Sequence, residues 1–291
     1  MSNTILVTGA TGNVGSEVVK QLSAKGADVR ACCHTLSKAD KIRGPGVEIV
    51  EVDYAKPETV EAAFPGVERL FLLTPGWPGV EKTVEITAQF VEEAKKAGVQ
   101  HIVKLSVLGA DTESKIPPFR WHRQAEEMIE ESGIPYTFVR PTGFMQTFPM
   151  SHGQTIKAQN AIYTGAGEGK IGLIDARDIA AVAVEALTGD GHEGKIYTTT
   201  GPEALSYNQV AEILSEVLGR KISHVNVSEE DLRKGMEGAG FSDWVGDAAI
   251  EGNRSIREGR PPAVLPTVEE VTGKKPRSFE QFARDYAEAF R

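Results

Sequence analysis

The chain has 291 residues, of which 40% are hydrophobic and 25% are charged, a composition typical of a globular protein. Its formal net charge of -9 argues against a nucleic-acid partner, because such proteins present a basic surface to the phosphate backbone. No apolar run approaches the roughly 20 residues that span a bilayer, and no basic leader with a cleavage site precedes the first strand-like run. We therefore expect a cytoplasmic protein with no membrane partner.

The first half of the chain alternates short apolar runs with longer amphipathic stretches. The short runs predict strands over residues 4–8, 29–33, 47–52, 69–73, 101–106 and 136–140. Stretches with helical periodicity lie over 14–25, 37–42, 58–63, 80–97 and 119–132. Six strands that alternate with five helices predict an α/β fold with a doubly wound, Rossmann-type parallel sheet.

After Pro141 the alternation loosens, and a glycine-rich loop occupies residues 165–169. Helices are predicted over 175–187 and 206–218, with Asp175 and Ser206 as their N-caps. A strand is predicted over 196–199, and shorter helical stretches near 231–237, 244–256 and 279–290. We expect residues 1–150 to form a dinucleotide-binding Rossmann domain. Residues 151–291 are expected to form a smaller α/β lobe on the substrate side, interleaved with the sheet and closing over its carboxyl edge, where doubly wound folds bind ligands.

The two cysteines of the sequence, Cys32 and Cys33, are neighbours. A disulfide between adjacent residues is strained, and a disulfide scaffold needs more cysteines at wider spacing. We expect both to be reduced thiols in a cytosolic protein. Because no Cys/His spacing typical of a metal site occurs in the sequence, no metal is expected.

A glycine-rich segment, TGATGNVG at residues 8–15, lies between the first predicted strand and the first predicted helix, the position of a dinucleotide-binding phosphate loop. Gly9 permits a tight turn, Gly12 a close approach of the pyrophosphate, and Gly15 close packing of helix and strand, while the helix N-terminus supplies N–H groups. The first gap between glycines is one residue longer than in the Gly-x-Gly-x-x-Gly pattern. The alternative to a phosphate loop is a glycine-rich turn that binds nothing. The loop residues assigned to the cofactor are Gly9, Thr11, Gly12, Asn13, Val14 and Gly15.

The end of the second predicted strand indicates which nicotinamide cofactor is bound. Enzymes that select NAD carry an acid there for the ribose hydroxyls, and residues 31–35, ACCHT, contain none. His34 and Lys38, with Ser37 and Lys41 nearby, are suited instead to a 2′-phosphate. This pattern favours NADP(H) as the cofactor, with NAD(H) as the other possibility. The alternative for Lys38 and Lys41 is that they lie on a solvated helix face and bind no phosphate.

Asp53 and Tyr54 follow the third predicted strand, at the same edge of the sheet. We expect Asp53 to accept a hydrogen bond from the adenine amino group and Tyr54 to flank the base. The alternative for Asp53 is to cap the helix that begins near Pro57.

The segments at 8–15, 52–54 and 72–75, with KLSVLGA at 104–110 and VRPTGFM at 139–145, resemble the NmrA-like group of atypical short-chain dehydrogenases/reductases. The resemblance covers nearly the whole chain, including 175–178 and 200–203. Within the group the chain is most similar to NAD(P)H-dependent quinone oxidoreductases and triphenylmethane-dye reductases. The resemblance implies that Thr74 and Pro75 lie along the ribose and nicotinamide of the cofactor, and that Ser106 faces the substrate. Backbone groups of the following residues would hold the nicotinamide carboxamide: Pro141, Thr142, Gly143 and Phe144.

The chain departs from ordinary short-chain dehydrogenases in lacking their Tyr-x-x-x-Lys pair, whose tyrosine protonates the developing alkoxide. Pro118 and His122 occupy the corresponding places, and no tyrosine occurs between Tyr54 and Tyr136. Without that proton donor, the acceptors best suited to this protein are those whose reduction needs little protonation, such as a quinone, an iminium or a triarylmethyl cation. We expect His122 to be the proton donor, oriented by Glu126 one helical turn later; the alternative is a pair that only supports the helix.

Together these features predict an oxidoreductase that transfers hydride directly from NAD(P)H to a quinone-like or other conjugated aromatic small molecule, an imine or a dye included. The alternative is an NmrA-like redox-sensing regulator that binds NAD(P) without turnover. An isomerase or epimerase is disfavoured, because it would need the missing tyrosine. Apolar residues expected to wall the acceptor pocket, each of them otherwise a core residue, are Trp77, Phe144, Met145, Phe148, Phe241 and Trp244.

Overall fold

The computed structural model describes residues 4–76, 79–261 and 264–291. The chain divides into two units, each built from two segments. Unit 1 comprises Met1–Arg140 and Ile179–Thr198, and unit 2 comprises Pro141–Asp178 and Thr199–Arg291. Neither unit is therefore a continuous stretch of sequence.

Strands and helices alternate regularly in unit 1 and less regularly in unit 2. The strands are β1 Thr4–Val7, β2 Val29–Cys33, β3 Val47–Glu51, β4 Val67–Leu72, β5 His101–Leu105, β6 Tyr136–Pro141, β7 Ala161–Thr164, β8 Lys170–Ile171, β9 Lys195–Thr199, β10 Leu205–Ser206 and β11 Ser223–Asn226. The α-helices are α1 Asn13–Ala24, α2 Pro57–Glu61, α3 Thr83–Ala97, α4 Pro117–Glu131, α5 Thr147–Ser151, α6 Gly153–Gln159, α7 Ala176–Thr188, α8 Tyr207–Leu218, α9 Glu229–Gly238, α10 Asp243–Arg257, α11 Thr267–Thr272 and α12 Phe279–Asp285. Within the described ranges, no helix has both the length and the apolar character required to cross a membrane.

The main sheet has seven strands in the order β3-β2-β1-β4-β5-β6-β9. The pairings from β3 through β6 are parallel; Val7 of β1, for example, lies opposite Ala31 of β2 and Phe71 of β4. The order reverses between β1 and β4, because the chain first adds strands on one side of β1 and then on the other. The predicted doubly wound, Rossmann-type sheet is confirmed. In such sheets, ligands bind at the carboxyl ends of the strands that flank the reversal.

The core of unit 1 is made by apolar side chains on both faces of the sheet. All four residues of β1 are buried, and β4 ends in the buried run Leu70-Phe71-Leu72. Such continuous apolar runs are typical of parallel strands that are covered on both faces. The buried side of α1 contains the residues that the helical periodicity predicts: Val14, Val18, Val19 and Leu22.

Unit 2 packs short strands and helices around a core of its own. β7 pairs with β11 in parallel, and β8 pairs with β10 antiparallel. The predicted N-caps are confirmed: Ser206 forms a capping box with Gln209 at the start of α8, and Asp175 accepts a 2.8 Å hydrogen bond from the N–H of Arg177. The sequence does not predict β7, β8, β10, β11, α5, α6 or α11, because segments of two to seven residues are too short to show a period.

Cys32 and Cys33 both lie in β2, where they are free and buried. Burial raises the pKa of both thiols, that of Cys32 to about 12. Because the thiolate is the reactive form, these side chains act as small core residues.

Candidate active site

The loop after β1 turns sharply at Gly9, whose φ of 59° lies in the left-handed region that glycine adopts without strain. A Cβ at Gly9 would lie 2.5 Å from Cδ2 of Leu73. The N–H of Gly12 donates a 2.9 Å hydrogen bond to the carbonyl of Gly9 and closes the turn. The loop therefore doubles back over the carboxyl end of β1.

Helix α1 begins directly after this turn, with Gly12 as its N-cap residue. Gly15, in the first turn of the helix, packs against the loop backbone at Gly9 and Ala10. In the part of the chain that the structure describes, no side chain caps this helix N-terminus, and its first turn carries no acidic residue. The partial positive charge of the helix start is thus left for an external anion.

Thr8 ties the loop to the neighbouring strand β4. Its Oγ1 accepts a 2.7 Å hydrogen bond from the N–H of Leu73 and donates to the carbonyl of the same residue at 2.9 Å. A threonine at the end of a strand gives no sequence signal for this role, and Thr8 is not among the predicted site residues.

Tyr54 supports the same loop. Its phenol lies near the backbone of Gly9 and the side chain of Thr8, and its ring packs edge-on against Phe90, with 5.8 Å between ring centroids. Burial raises the pKa of Tyr54 well above its usual range, so the phenol stays neutral. The expected contact of Tyr54 with adenine stays a prediction.

His34 and Asp53 meet at the carboxyl ends of β2 and β3. The Asp53 carboxylate lies 3.9 Å from Nε2 of His34 and 3.6 Å from Nζ of Lys56, and it accepts a 3.0 Å hydrogen bond from the N–H of Ala55. That backbone hydrogen bond, helped by the nearby positive groups, lowers the pKa of Asp53. The N-cap of α2 is Lys56, so Asp53 caps a turn rather than the helix. Lys38 is exposed on the turn after β2.

Ser106 and Thr74 follow the ends of β5 and β4. Ser106 is 2% exposed, and its N–H donates to the carbonyl of Val139 at 2.8 Å, but its hydroxyl has no partner among the described residues. A buried hydroxyl without a partner costs about 1–3 kcal/mol, and a hydrogen-bonding ligand would remove that cost. The Thr74 hydroxyl lies 3.2 Å from that of Thr83, and Pro75 beside it is half-buried.

His122 lies on α4 and is 9% exposed. Its Nδ1 is 3.0 Å from Nζ of Lys104, a fully buried lysine in β5. Burial, helped by the charge of Lys104, lowers the pKa of His122 well below its usual range, so the ring is neutral at pH 7. Lys104 was not predicted as a site residue; its one sequence signal is a lysine inside an otherwise apolar strand, HIVKL.

The carboxylate of Glu126, which was expected to orient His122, is held by two arginines instead. Arg140 on β6 donates to it from Nε at 2.9 Å and from Nη2 at 2.5 Å, and Arg123 donates at 3.2 Å. The prediction that Glu126 orients His122 is wrong. The one-turn spacing does place the two residues on one helix face, but Arg140 takes both carboxylate oxygens, and Lys104 is the partner of the ring.

In unit 2, the segment after β6 is the one predicted to hold the nicotinamide. Thr142 is buried, and its N–H and hydroxyl donate to the carbonyls of Thr199 at 3.0 Å and Gly172 at 2.5 Å. Phe144 forms a single parallel bridge with Ile174. These contacts fix the segment within unit 2, and its assignment to the cofactor stays a prediction.

The predicted pocket residues of unit 2 differ in exposure. Met145 and Phe148 are 1% and 2% exposed and belong to the core of unit 2, and their place in an acceptor pocket stays a prediction. Phe241 and Trp244 are half-buried near the junction of α9 and α10. Trp77 lies outside the described residues. Among the side chains that are described, no three His, Cys, Asp or Glu residues are grouped so that they could hold a metal ion.

The chain matches the model of the NmrA-like family over residues 1–250. It is 39% identical over 286 residues to NAD(P)H azoreductase from Xenophilus azovorans, an alignment that covers 98% of this chain and 99% of that protein. The crystal structure of the NADPH-dependent quinone oxidoreductase of Escherichia coli, complexed with NADPH, matches with a TM-score of 0.85 and 26% identity over 99% of this chain and 100% of the other. Triphenylmethane reductase from Citrobacter sp. matches with a TM-score of 0.83 and 28% identity over 99% of both chains. Since the family model covers most of the chain and the azoreductase matches it from end to end, the chain belongs to the NmrA-like family.

Proposed function

We propose that this protein is an NAD(P)H-dependent oxidoreductase that transfers hydride directly to a quinone-like or other conjugated aromatic acceptor, an imine or a dye included. The observation that carries the proposal is the glycine cradle beside the sheet reversal, where Gly9 and Gly15 let strand, loop and helix approach closely. The named activities of the three relatives, an azoreductase, a quinone oxidoreductase and a triphenylmethane reductase, support an aromatic acceptor.

The residues present fit a dinucleotide. The cradle has no room for a Cβ at Gly9 or Gly15, and the uncapped start of α1 favours the pyrophosphate. His34 and Lys38 bring basic groups to the end of β2, which favours NADP(H) over NAD(H), and the NADPH bound in the Escherichia coli relative supports this choice. When bound, the reduced nicotinamide supplies the hydride.

The residues after β5 offer hydrogen-bond donors but no strong acid. The unpartnered hydroxyl of Ser106 is free, as far as the described residues go, to donate to the acceptor. His122 is neutral and donates a hydrogen bond in the same way. Such a site suits a quinone, whose reduced oxyanion is stabilised by conjugation, or a cationic dye, which hydride alone neutralises. The acceptor is reduced chiefly because it is positioned well, which can contribute several kcal/mol.

The proposal includes a small-molecule partner and a cytoplasmic location. The two free, buried thiols of Cys32 and Cys33 support a reducing compartment, in which thiols persist. The acidic net charge of -9 supports a small-molecule rather than a nucleic-acid partner.

The experiment that tests the proposal combines binding and turnover. NADPH and NADH are titrated into the full chain by fluorescence, and the absorbance at 340 nm is then followed with quinones, azo and triarylmethane dyes, imines and ketones. We expect tighter binding of NADPH and turnover of at least one conjugated acceptor above the acceptor-free rate. Tight binding without turnover of any acceptor would overturn the proposal and identify a redox-sensing regulator.

A further inference from the structure

Lys104 is a fully buried lysine in β5, an inner strand of the main sheet. Its Nζ lies 3.0 Å from the carbonyl oxygen of Leu105 and 3.0 Å from Nδ1 of His122. Lysines are almost never fully buried unless they are paired, and removing an ammonium group from water is costly. A lysine at this position therefore needs hydrogen-bond partners that offset the cost of burying its ammonium group.

The charged and titratable groups that face Lys104 come from two elements. Helix α4 contributes His122 and the buried carboxylate of Glu126, with Arg123 bound behind that carboxylate, and β6 contributes Arg140. Burial lowers the pKa of Lys104 to about 8, with Glu126 opposing the shift and Arg140 adding to it. Lys104 is thus mostly charged at pH 7, yet it loses its proton within the ordinary pH range.

Lys104 and Ser106 are two residues apart along an extended segment, so their side chains leave the same face of the sheet. His122 meets Lys104 on that face. The Ser106 hydroxyl is buried there and has no partner in the described part of the chain. A lysine, an imidazole and an unpartnered hydroxyl thus share one face at the carboxyl end of β5.

We propose that Lys104 is the positioning residue of this site, and that it holds His122 in the Nε2–H tautomer and replaces the proton that His122 gives to the acceptor. The ammonium group can only donate, so Nδ1 of His122 must accept from it and Nε2 must carry the ring proton. The inference rests on the proposed function, because it needs an acceptor that becomes an oxyanion.

The proton transfer balances without a further reactant. After a quinone has received hydride, and with it two electrons from the cofactor, its oxyanion forms an O–H bond as the Nε2–H bond of His122 breaks. An N–H bond forms at Nδ1 as one N–H bond of Lys104 breaks. Lys104 is left as a neutral amine, and the starting state returns when Nε2 of His122 takes a proton from water and the Nδ1 proton goes back to Lys104. A triarylmethyl cation accepts hydride without any proton, so its reduction does not use this route.

The first test observes the tautomer directly in the full-length chain without added cofactor. Long-range proton–nitrogen correlation spectra of the 15N-labelled protein at pH 6.5 report which ring nitrogen carries the proton, and His122→Gln assigns the signals. We expect a protonated Nε2 and an unprotonated Nδ1 in the wild type. In Lys104→Met the two nitrogens should approach the averaged signals of an exchanging ring. A proton on Nδ1 in the wild type would overturn the inference, whether or not Lys104→Met folds.

The second test follows turnover against pH with a quinone and with a triarylmethane dye. The wild-type kcat for the quinone should fall about tenfold per pH unit above pH 8, as Lys104 loses its proton. Lys104→Met should lower the quinone rate at least tenfold relative to the dye rate and lose this pH dependence. Lys95→Met, at an exposed position on α3, is the matched control. It should keep the wild-type ratio of quinone to dye rates and the wild-type pH dependence. An unchanged ratio and pH profile in Lys104→Met would overturn the inference, whereas a wild type that reduces no acceptor would overturn the proposed function and leave the tautomer test standing.

Discussion

Gly15 and Gly9 are in backbone contact: a Cβ on Gly15 would lie 2.2 Å from the carbonyl oxygen of Gly9 and 2.7 Å from its carbonyl carbon. Because backbone atoms cannot move aside as a flexible side chain can, Gly15→Ala must displace α1 from the loop. We expect NADPH binding, measured by fluorescence titration, to weaken at least tenfold.

Gly252 provides the matched control for this substitution. It lies within α10, and an added Cβ would meet no atom within 4 Å. Gly252→Ala should therefore bind NADPH as the wild type does, with equal or slightly higher thermal stability. Wild-type affinity in Gly15→Ala would contradict the assignment of the loop to the pyrophosphate.

Lys38 tests the cofactor preference. Its side chain is exposed on the turn after β2, so its removal leaves the packing intact. If Lys38 and His34 surround a 2′-phosphate, Lys38→Ala should weaken NADPH binding about tenfold and leave NADH binding nearly unchanged, because only NADPH carries that phosphate. Parallel titrations at one salt concentration measure this difference, since salt screens exposed charges. An equal loss for both cofactors, or no loss, would contradict the assignment.

The sheet and the phosphate loop could be predicted from the sequence because both are encoded locally. Apolar runs define the strands of unit 1. The three glycines of the phosphate loop specify its turn within a few residues of one another. The Lys104–His122 contact could not be predicted, since its partners are 18 residues apart and meet only when α4 packs near β5. Glu126 was given the wrong partner for the same reason: helical spacing identifies neighbours on one helix, whereas Arg140 comes from β6.

His122 is expected to act in turnover rather than in cofactor binding. His122→Phe keeps a ring of similar size but removes both nitrogens, so the hydrogen bond to Lys104 is lost. We expect quinone turnover to fall at least tenfold, with NADPH affinity changed less than twofold. Stopped-flow absorbance at 340 nm gives the first quantity and fluorescence titration the second. Unchanged turnover would make His122 a structural residue of α4.

The acid stability of the fold depends in part on His152, which packs in the aromatic cluster of unit 2. Its ring lies 5.2 Å from that of Phe148 and 6.2 Å from that of Tyr207. Burial, helped by His224, lowers the pKa of His152 from 6.5 to about 4. Between these two values the unfolded chain binds a proton that the folded chain does not. Unfolding therefore becomes easier as the pH falls, by about 1.4 kcal/mol per pH unit for this group.

His152→Phe removes that proton uptake while keeping an aromatic ring in the cluster. We expect the free energy of unfolding in urea, measured by circular dichroism at pH 7, 6 and 5, to fall less steeply with pH than in the wild type. The slope should be reduced rather than abolished, because burial also lowers the pKa of His101 to about 4, and His101 keeps its contribution in the variant. Equal slopes in the two proteins would mean that His152 binds its proton as readily in the folded chain as in the unfolded one, and that the cluster does not exclude the charged ring.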